Sequence, residues 1–235
     1  MSYLILGSGG LGGALAHELA SRGEEWLLAG RQLPKGLDPA CYFPLQEVDP
    51  LSFDALFTLY DTTTLPRVVI NTIGLLHDLS HMPERRVEEV TPQWLGESLQ
   101  ANAWPHLALG ASLSRLMTFE SRLWLCTLSD LAGSLGEAHR EPARRYSYRM
   151  SKAALNMGSR ILAAEWAERF PGAGVITVHP GLMDTPMQQP FRQEIDPALL
   201  QDPALVAPLL LDLLASLNQA HSGRFVDLRG QPLPW

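Results

Sequence analysis

The sequence predicts an α/β fold: a doubly wound, mostly parallel sheet with helices on both faces, a three-layer sandwich. Three observations predict it. Short apolar runs alternate with stretches of helical periodicity along the whole chain, the pattern of parallel strands joined by helical crossovers. The first strand and helix are joined by a glycine-rich bend, Gly7-Ser8-Gly9-Gly10-Leu11-Gly12-Gly13. And 235 residues, 46% hydrophobic and 18% charged, suffice for one well-filled core, so 1–235 reads as a single domain.

Tyr3 to Leu6 is the first strand. A helix follows from about Leu11 to Arg22, with Leu11, Leu15 and Leu19 in register and Gly23 as its stop. Glu25 to Ala29 is the second strand. Gly7, Gly9 and Gly12 fit G-x-G-x-x-G: the first lets the turn close, the second admits a pyrophosphate near the backbone, and the third lets helix pack on strand. Strand, glycine turn, helix and strand together form the opening unit of a Rossmann-type dinucleotide-binding sheet. An NAD site normally carries Asp or Glu about 20 residues past the glycines, for the ribose hydroxyls. This chain has Gly30-Arg31 there. A guanidinium suits a 2′-phosphate and offers nothing to a free diol, so Arg31 predicts NADP in preference to NAD.

Pro34 to Pro44 reads as a loop, followed by a strand from Tyr42 to Val48 that ends at Asp49. Ser52 to Leu59 is a short helix capped by Ser52. Arg67 to Ile70 is the fourth strand, bounded by Asn71-Thr72-Ile73-Gly74. Thr91-Pro92 opens the next helix with a cap and a first-turn proline. It passes Leu95, Leu99 and Asn102, and Pro105 should bend it before Leu107 to Leu116. A backbone carbonyl freed near Asn102 could hold a water. Leu123 to Leu128 is the fifth strand, breaking at Ser129-Asp130. The loop from Gly133 to Tyr146 carries His139, Arg140, Arg144 and Arg145, either a solvated cluster or a contact for an anionic substrate. Gly174 to Val178 is the sixth strand, closed by His179-Pro180-Gly181. Residues 184–203, with Pro186, Pro190 and Phe191, lack periodicity and read as a substrate lid. Pro203 to Leu217 is the last helix and Gly223 to Asp227 the closing strand.

Eighteen Lys and Arg against 25 Asp and Glu give a net charge of -7, with no basic tract for phosphate backbones, which argues against a nucleic-acid partner. Cys41 and Cys126 have no metal-ligand spacing around them; no metal is expected, and both read as free thiols of a reducing compartment. No apolar run reaches spanning length, and no leader precedes Tyr3. The expectation is a cytoplasmic protein with no membrane partner.

Tyr148 and Lys152 lie four apart on a helix whose apolar stripe, Ala153, Ala154, Leu155, Met157, Ile161, Leu162 and Ala163, continues to about Trp166. A fixed ammonium favours the phenolate of a neighbouring tyrosine. Such a phenol can act as general acid or base on a ketone or alcohol near neutral pH.

The glycine turn, Asn71-x-x-Gly74, Asn102, Ser129, Tyr148-x-x-x-Lys152 and Pro180-Gly181, in that order, make the chain resemble the short-chain dehydrogenase/reductase family. Tyr146 to Met157 and the closing Ser222-Gly223-Arg224-Phe225 and Gly230 to Trp235 resemble its C-factor-like subgroup. The resemblance implies a carbonyl reductase or alcohol dehydrogenase acting on a small molecule, as a homodimer or homotetramer. It implies that Tyr148 is the acid/base, that Lys152 binds the nicotinamide ribose and tunes Tyr148, and that Asn102 holds a relay water. It puts the cofactor on Gly7, Ser8, Gly9, Gly10, Leu11 and Gly12. Asn71 and Gly74 would line the adenine-ribose side with Asp49 near the adenine, and Thr185, after Pro180 and Gly181, would meet the carboxamide. Two departures stand out. The glycine turn is one residue shorter than the family's G-x-x-x-G-x-G. Where the family has a serine pair, this chain has Ser129-Asp130, leaving Ser129 or Ser134 to polarise the substrate oxygen. A carboxylate facing a developing oxyanion opposes the reaction, so a regulatory protein that binds the cofactor and turns over little is the rival expectation.

Overall fold

The computed structural model describes residues 2–137 and 144–235. Seven strands form one sheet: β1 (Ser2–Leu6), β2 (Glu25–Gly30), β3 (Tyr42–Pro44), β4 (Val68–Asn71), β5 (Trp124–Leu128), β6 (Gly174–His179) and β7 (Arg224–Asp227). Every pairing is parallel, in the order β3-β2-β1-β4-β5-β6-β7. The helices are α1 (Gly10–Ser21), α2 (Pro50–Phe57), α3 (Pro92–Asn102), α4 (Trp104–Leu116), α5 (Tyr146–Arg169) and α6 (Pro203–Ala215).

Strand periodicity sorts the core into two layers. Successive side chains point to opposite faces, so Tyr3 and Ile5 pack under α1 and α6 with Leu15, Leu19, Val206 and Leu210. Leu4 and Leu6 face the other way, onto Phe53 and Leu56 of α2, Leu109 and Leu113 of α4, and Leu162 and Trp166 of α5. Trp166 is wholly buried, and its indole N–H donates to Ser114 Oγ at 2.9 Å, which satisfies the one polar atom it brings inside.

Three local expectations are corrected. β3 stops at Pro44 instead of running to Val48, since proline has no N–H to continue a ladder and survives only at a sheet edge. The following helix begins at Pro50, and its cap is Asp49, whose carboxylate accepts from Ser52 N at 2.7 Å; Ser52 lies inside the first turn. Pro105 does not bend one long helix. It lies in the first turn of α4, which is separated from α3 by Ala103, because a proline is best tolerated where no backbone donor is needed. Thr91 does cap α3, accepting from Trp94 N at 3.1 Å. His139, Arg140 and Pro142 lie outside the described residues.

Candidate active site

The strand order turns back between β1 and β4, and in such sheets ligands occupy the crevice beyond the carboxyl ends of the strands. The glycine turn after β1 opens one end of that crevice. Gly7 has φ +98°, a backbone conformation that side chains resist. A Cβ on Gly12 would lie 1.8 Å from Gly7 O, so α1 packs against the turn only because that position has no side chain. Beside them, Gly9 faces open space and caps α1 without any side-chain hydrogen bond, and the first turn of α1 has no acidic residue. The positive end of α1 is therefore turned toward a place an anion could fill.

The other predicted residues of this end take distinct places. Ser8 Oγ accepts from Gln32 N at 3.2 Å, tying the turn to the end of β2. Arg31 is exposed, and among the described residues its guanidinium makes no ion pair. Leu11 is buried in the α1 face of the core, so only its backbone can face a ligand. Thr185 lies against Gly10, its Cγ2 within 2.7 Å of where a Cβ would be. Pro180 is buried, and Gly181 takes φ +81° at the turn after β6. Asn71 is buried and braces the strand ends, donating to Thr127 Oγ1 at 3.2 Å and accepting from Ile73 N at 3.1 Å. Gly74 belongs to the other end of the crevice. A Cβ there would meet Asn102 Oδ1 at 3.3 Å and Lys152 Nζ at 3.6 Å, which puts it beside the lysine.

Tyr148 and Lys152 project from the first two turns of α5, one turn apart. Lys152 Nζ lies 5.7 Å from the centroid of the Tyr148 ring and donates to the Leu128 carbonyl at 3.1 Å. It is buried. Burial pushes its pKa down to about 8, against the opposing pull of Asp130.

The pair at the end of β5 divides its roles unlike the expectation. Ser129 N still donates to Val178 O at 2.9 Å, continuing the ladder, and the Ser129 hydroxyl donates inward to Asn156 Oδ1 at 2.6 Å. Ser134 Oγ accepts from Glu137 N at 3.2 Å, a bond that does not use its own O–H. The residue against the tyrosine is Asp130: the Tyr148 hydroxyl donates to Asp130 Oδ2 at 2.9 Å. Its other oxygen accepts from Ala132 N at 3.0 Å, and His179 Nδ1 lies 3.8 Å away. Burial alone would raise the Asp130 pKa, but His179, the Ala132 N–H, the Tyr148 hydroxyl and Lys152 outweigh it and hold the carboxyl below its usual value. Asp130 is thus a carboxylate at neutral pH.

Asn102 is wholly buried, and its side chain makes three hydrogen bonds. Oδ1 accepts from Leu75 N at 2.7 Å; Nδ2 donates to Leu75 O at 2.8 Å and to Ser151 Oγ at 2.9 Å. It therefore staples the loop after β4 to α5, one residue from Lys152. Glu84, which sequence reasoning missed, anchors the start of the same helix. Its buried carboxylate accepts from Ser147 N at 3.3 Å and from the Ser147 hydroxyl. Arg145, in the left-handed region at φ 63°, donates its N–H to Glu84 O at 2.6 Å. No sequence signal couples residues this far apart. Met187 and Phe191, from the segment expected as a lid, pack with Leu76 and Ala132 against Tyr148, and Arg192 pairs with Asp184 at 3.0 Å.

No protein-family model matches the chain. Over 90 residues it is 40% identical to "C-signal" of Myxococcus xanthus, a match covering 38% of this chain and 49% of that protein; the chain spans about half the length of the curated relative it matches. Among solved structures it is similar to the carbonyl reductase Sniffer of D. melanogaster, with a TM-score of 0.81 and 21% identity over 100% of this chain and 99% of that one. It is similar to an NADPH-bound carbonyl reductase from chicken fatty liver, TM-score 0.79 and 20% identity over 100% and 98%. An NADP-bound short-chain dehydrogenase/reductase from Burkholderia multivorans gives 0.76 and 23% over 100% and 99%. The fold is that of these proteins. Among the described residues no helix is long and apolar enough to cross a membrane.

Proposed function

We propose that this chain is an NADP-dependent oxidoreductase of the short-chain dehydrogenase/reductase type, C-factor-like, transferring hydride between NADP(H) and a small carbonyl or alcohol with Tyr148 as acid/base. The observation that carries this reading is the convergence of Tyr148 and Lys152 on the crevice that the glycine turn opens. The cofactor, when bound, supplies the hydride. The residues present fit it. The N-terminus of α1 and the open face of Gly9 suit a pyrophosphate, and the exposed Arg31 suits a 2′-phosphate. Lys152 would bind the nicotinamide ribose, Thr185 the carboxamide, and Asn71 and Asp49 would stand toward the adenosine.

In reduction, Tyr148 gives its phenolic proton to the substrate oxygen, and the Lys152 ammonium stabilises the phenolate left behind. Asn102 and Glu84 act as positioning residues, since each ties α5 to a distant segment. The chain works as a cytoplasmic homodimer or homotetramer, with the half-exposed apolar faces of α4 and α5 (Leu107, Met157, Ile161) available for pairing. Purified protein should bind NADPH more tightly than NADH and oxidise it with members of a carbonyl panel, and Tyr148→Phe should abolish the turnover while keeping the binding. Tighter NADH binding sinks the NADP assignment, and turnover undiminished in Tyr148→Phe sinks the mechanism.

A second reading is favoured by one observation, the hydrogen bond that commits the Tyr148 hydroxyl to Asp130. A phenol held by a carboxylate is a poor donor to a carbonyl, so the protein would sense NADP(H) and turn over little; the name of the M. xanthus relative points to signalling. Tight NADPH binding with no oxidation on any substrate supports this reading.

A further inference from the structure

Asp130 raises a charge problem that neutral carbonyl chemistry does not solve. Its Oδ2 is 2.9 Å from the Tyr148 hydroxyl, so any atom that takes the tyrosine's proton must sit beside a carboxylate. A carbonyl oxygen has only lone pairs to offer it. If that oxygen takes the phenolic proton, a phenolate remains next to the carboxylate, and two anions at that separation oppose each other strongly away from bulk water. The Lys152 ammonium can offset one of them. The Asp130 side chain is 18% exposed, so it is not sealed from a ligand.

We infer that the substrate brings its own cation: a protonated nitrogen that is part of the reacting double bond or bonded to the carbon next to it, with Asp130 as its counter-ion. This rests on the oxidoreductase reading and names the substrate class for the same site. A nitrogen N–H on Asp130 Oδ2 replaces the Tyr148 O–H as its hydrogen-bond donor and releases the phenol to face the substrate. Two sources share this chemistry, and the balance differs between them. With an α-amino ketone, hydride adds to the carbonyl carbon, the π pair moves to oxygen, and oxygen takes the Tyr148 proton. The phenolate then faces Lys152 while the ammonium neutralises Asp130. With an iminium, hydride adds to carbon and the π pair cancels the charge on nitrogen, giving a neutral amine with no proton leaving Tyr148. In both, the hydride donor is a reduced nicotinamide, which ends oxidised by two electrons.

The class can be read by comparing aminoacetone with butanone, nearly the same shape with and without the ammonium, and with 2-methyl-1-pyrroline as the imine. The wild-type protein with NADPH should favour aminoacetone or the pyrroline over butanone by at least about tenfold in kcat/KM, worth about 1.4 kcal/mol. Asp130→Asn, which keeps the shape, should erase that preference, and Asp130→Ser should raise the butanone rate. A tyrosine-dependent reaction (lost in Tyr148→Phe) marks the amino ketone, and a tyrosine-independent one the imine. Binding gives a readout apart from turnover: 2-methylpyrrolidine should bind the NADP+-loaded protein, measured calorimetrically, and lose at least about tenfold in affinity in Asp130→Asn. Equal use of butanone and aminoacetone, or amine binding indifferent to Asp130, overturns the inference. Asp130-dependent amine binding without any turnover supports the cation site and refutes the oxidoreductase reading instead.

Discussion

Replacing Lys152 with Met should make the folded protein more stable at neutral pH while ending its chemistry. The ammonium is buried and donates to the Leu128 carbonyl. Burial lowers its pKa from 10.5 to about 8, partly offset by Asp130; at 1.36 kcal/mol per pH unit, keeping it charged in the folded state costs on the order of 3 kcal/mol. Met fills similar space with no charge to desolvate. The attraction of Asp130 is already inside that net figure, so the one loss to set against it is the donor to the Leu128 carbonyl, roughly 1 kcal/mol, and the variant should gain about 2 kcal/mol at neutral pH. The sign with pH follows from proton counts. Between pH 8 and pH 10.5 the unfolded chain binds this proton more than the folded one does, so the wild type gains stability from this group as pH rises through that window. The advantage of Lys152→Met should therefore be greatest below about pH 8 and vanish or reverse by about pH 10.5. Urea unfolding of both proteins across this range measures the difference, and subtracting one from the other cancels titrations they share. A variant less stable than the wild type at neutral pH, or a difference that does not change with pH, refutes the reasoning.

Gly12→Ala places a Cβ 1.8 Å from Gly7 O, and since that contact is backbone, α1 must shift; a loss of about 3 kcal/mol or more in unfolding free energy, together with lost NADPH binding, is expected by denaturation and fluorescence titration. Glu84→Ala strips the start of α5 of the acceptor for Ser147, leaving a buried donor unsatisfied at about 1–3 kcal/mol; the urea midpoint should fall, and Glu84→Gln should recover part of it. Arg31→Ala should weaken NADPH binding by about 10- to 100-fold, the worth of one charge-assisted contact, with NADH nearly unchanged. Equal loss for both cofactors would remove Arg31 from the phosphate role.

Much of the architecture was legible because it is written locally. A strand buried on both faces reads as a continuous apolar run whatever its neighbours, and the seven strands fell near where Tyr3–Leu6, Glu25–Ala29 and Leu123–Leu128 announced them. The glycine turn was legible too, since Gly7 and Gly12 carry their backbone requirements with them. Errors gathered where one residue more or less changes the outcome. Ser52 and Asp49 are both good caps, and Pro50 in the first turn decides for Asp49.

The sequence by itself determined the winding of the sheet, the glycine turn, and the placing of Tyr148 and Lys152 on one helix face. Only the tertiary structure decided which member of Ser129-Asp130 meets the tyrosine. Successive side chains at a strand end point to opposite sides, so the answer turns on the exact residue where β5 stops pairing. The hydrogen bond from Ser129 N to Val178 O fixes that point, turning the serine inward to Asn156 and the carboxylate out to Tyr148. Glu84 and Asn102 likewise gained their roles from chain segments that pattern cannot relate, because a hydrogen bond across the fold depends on register and packing that no single segment contains.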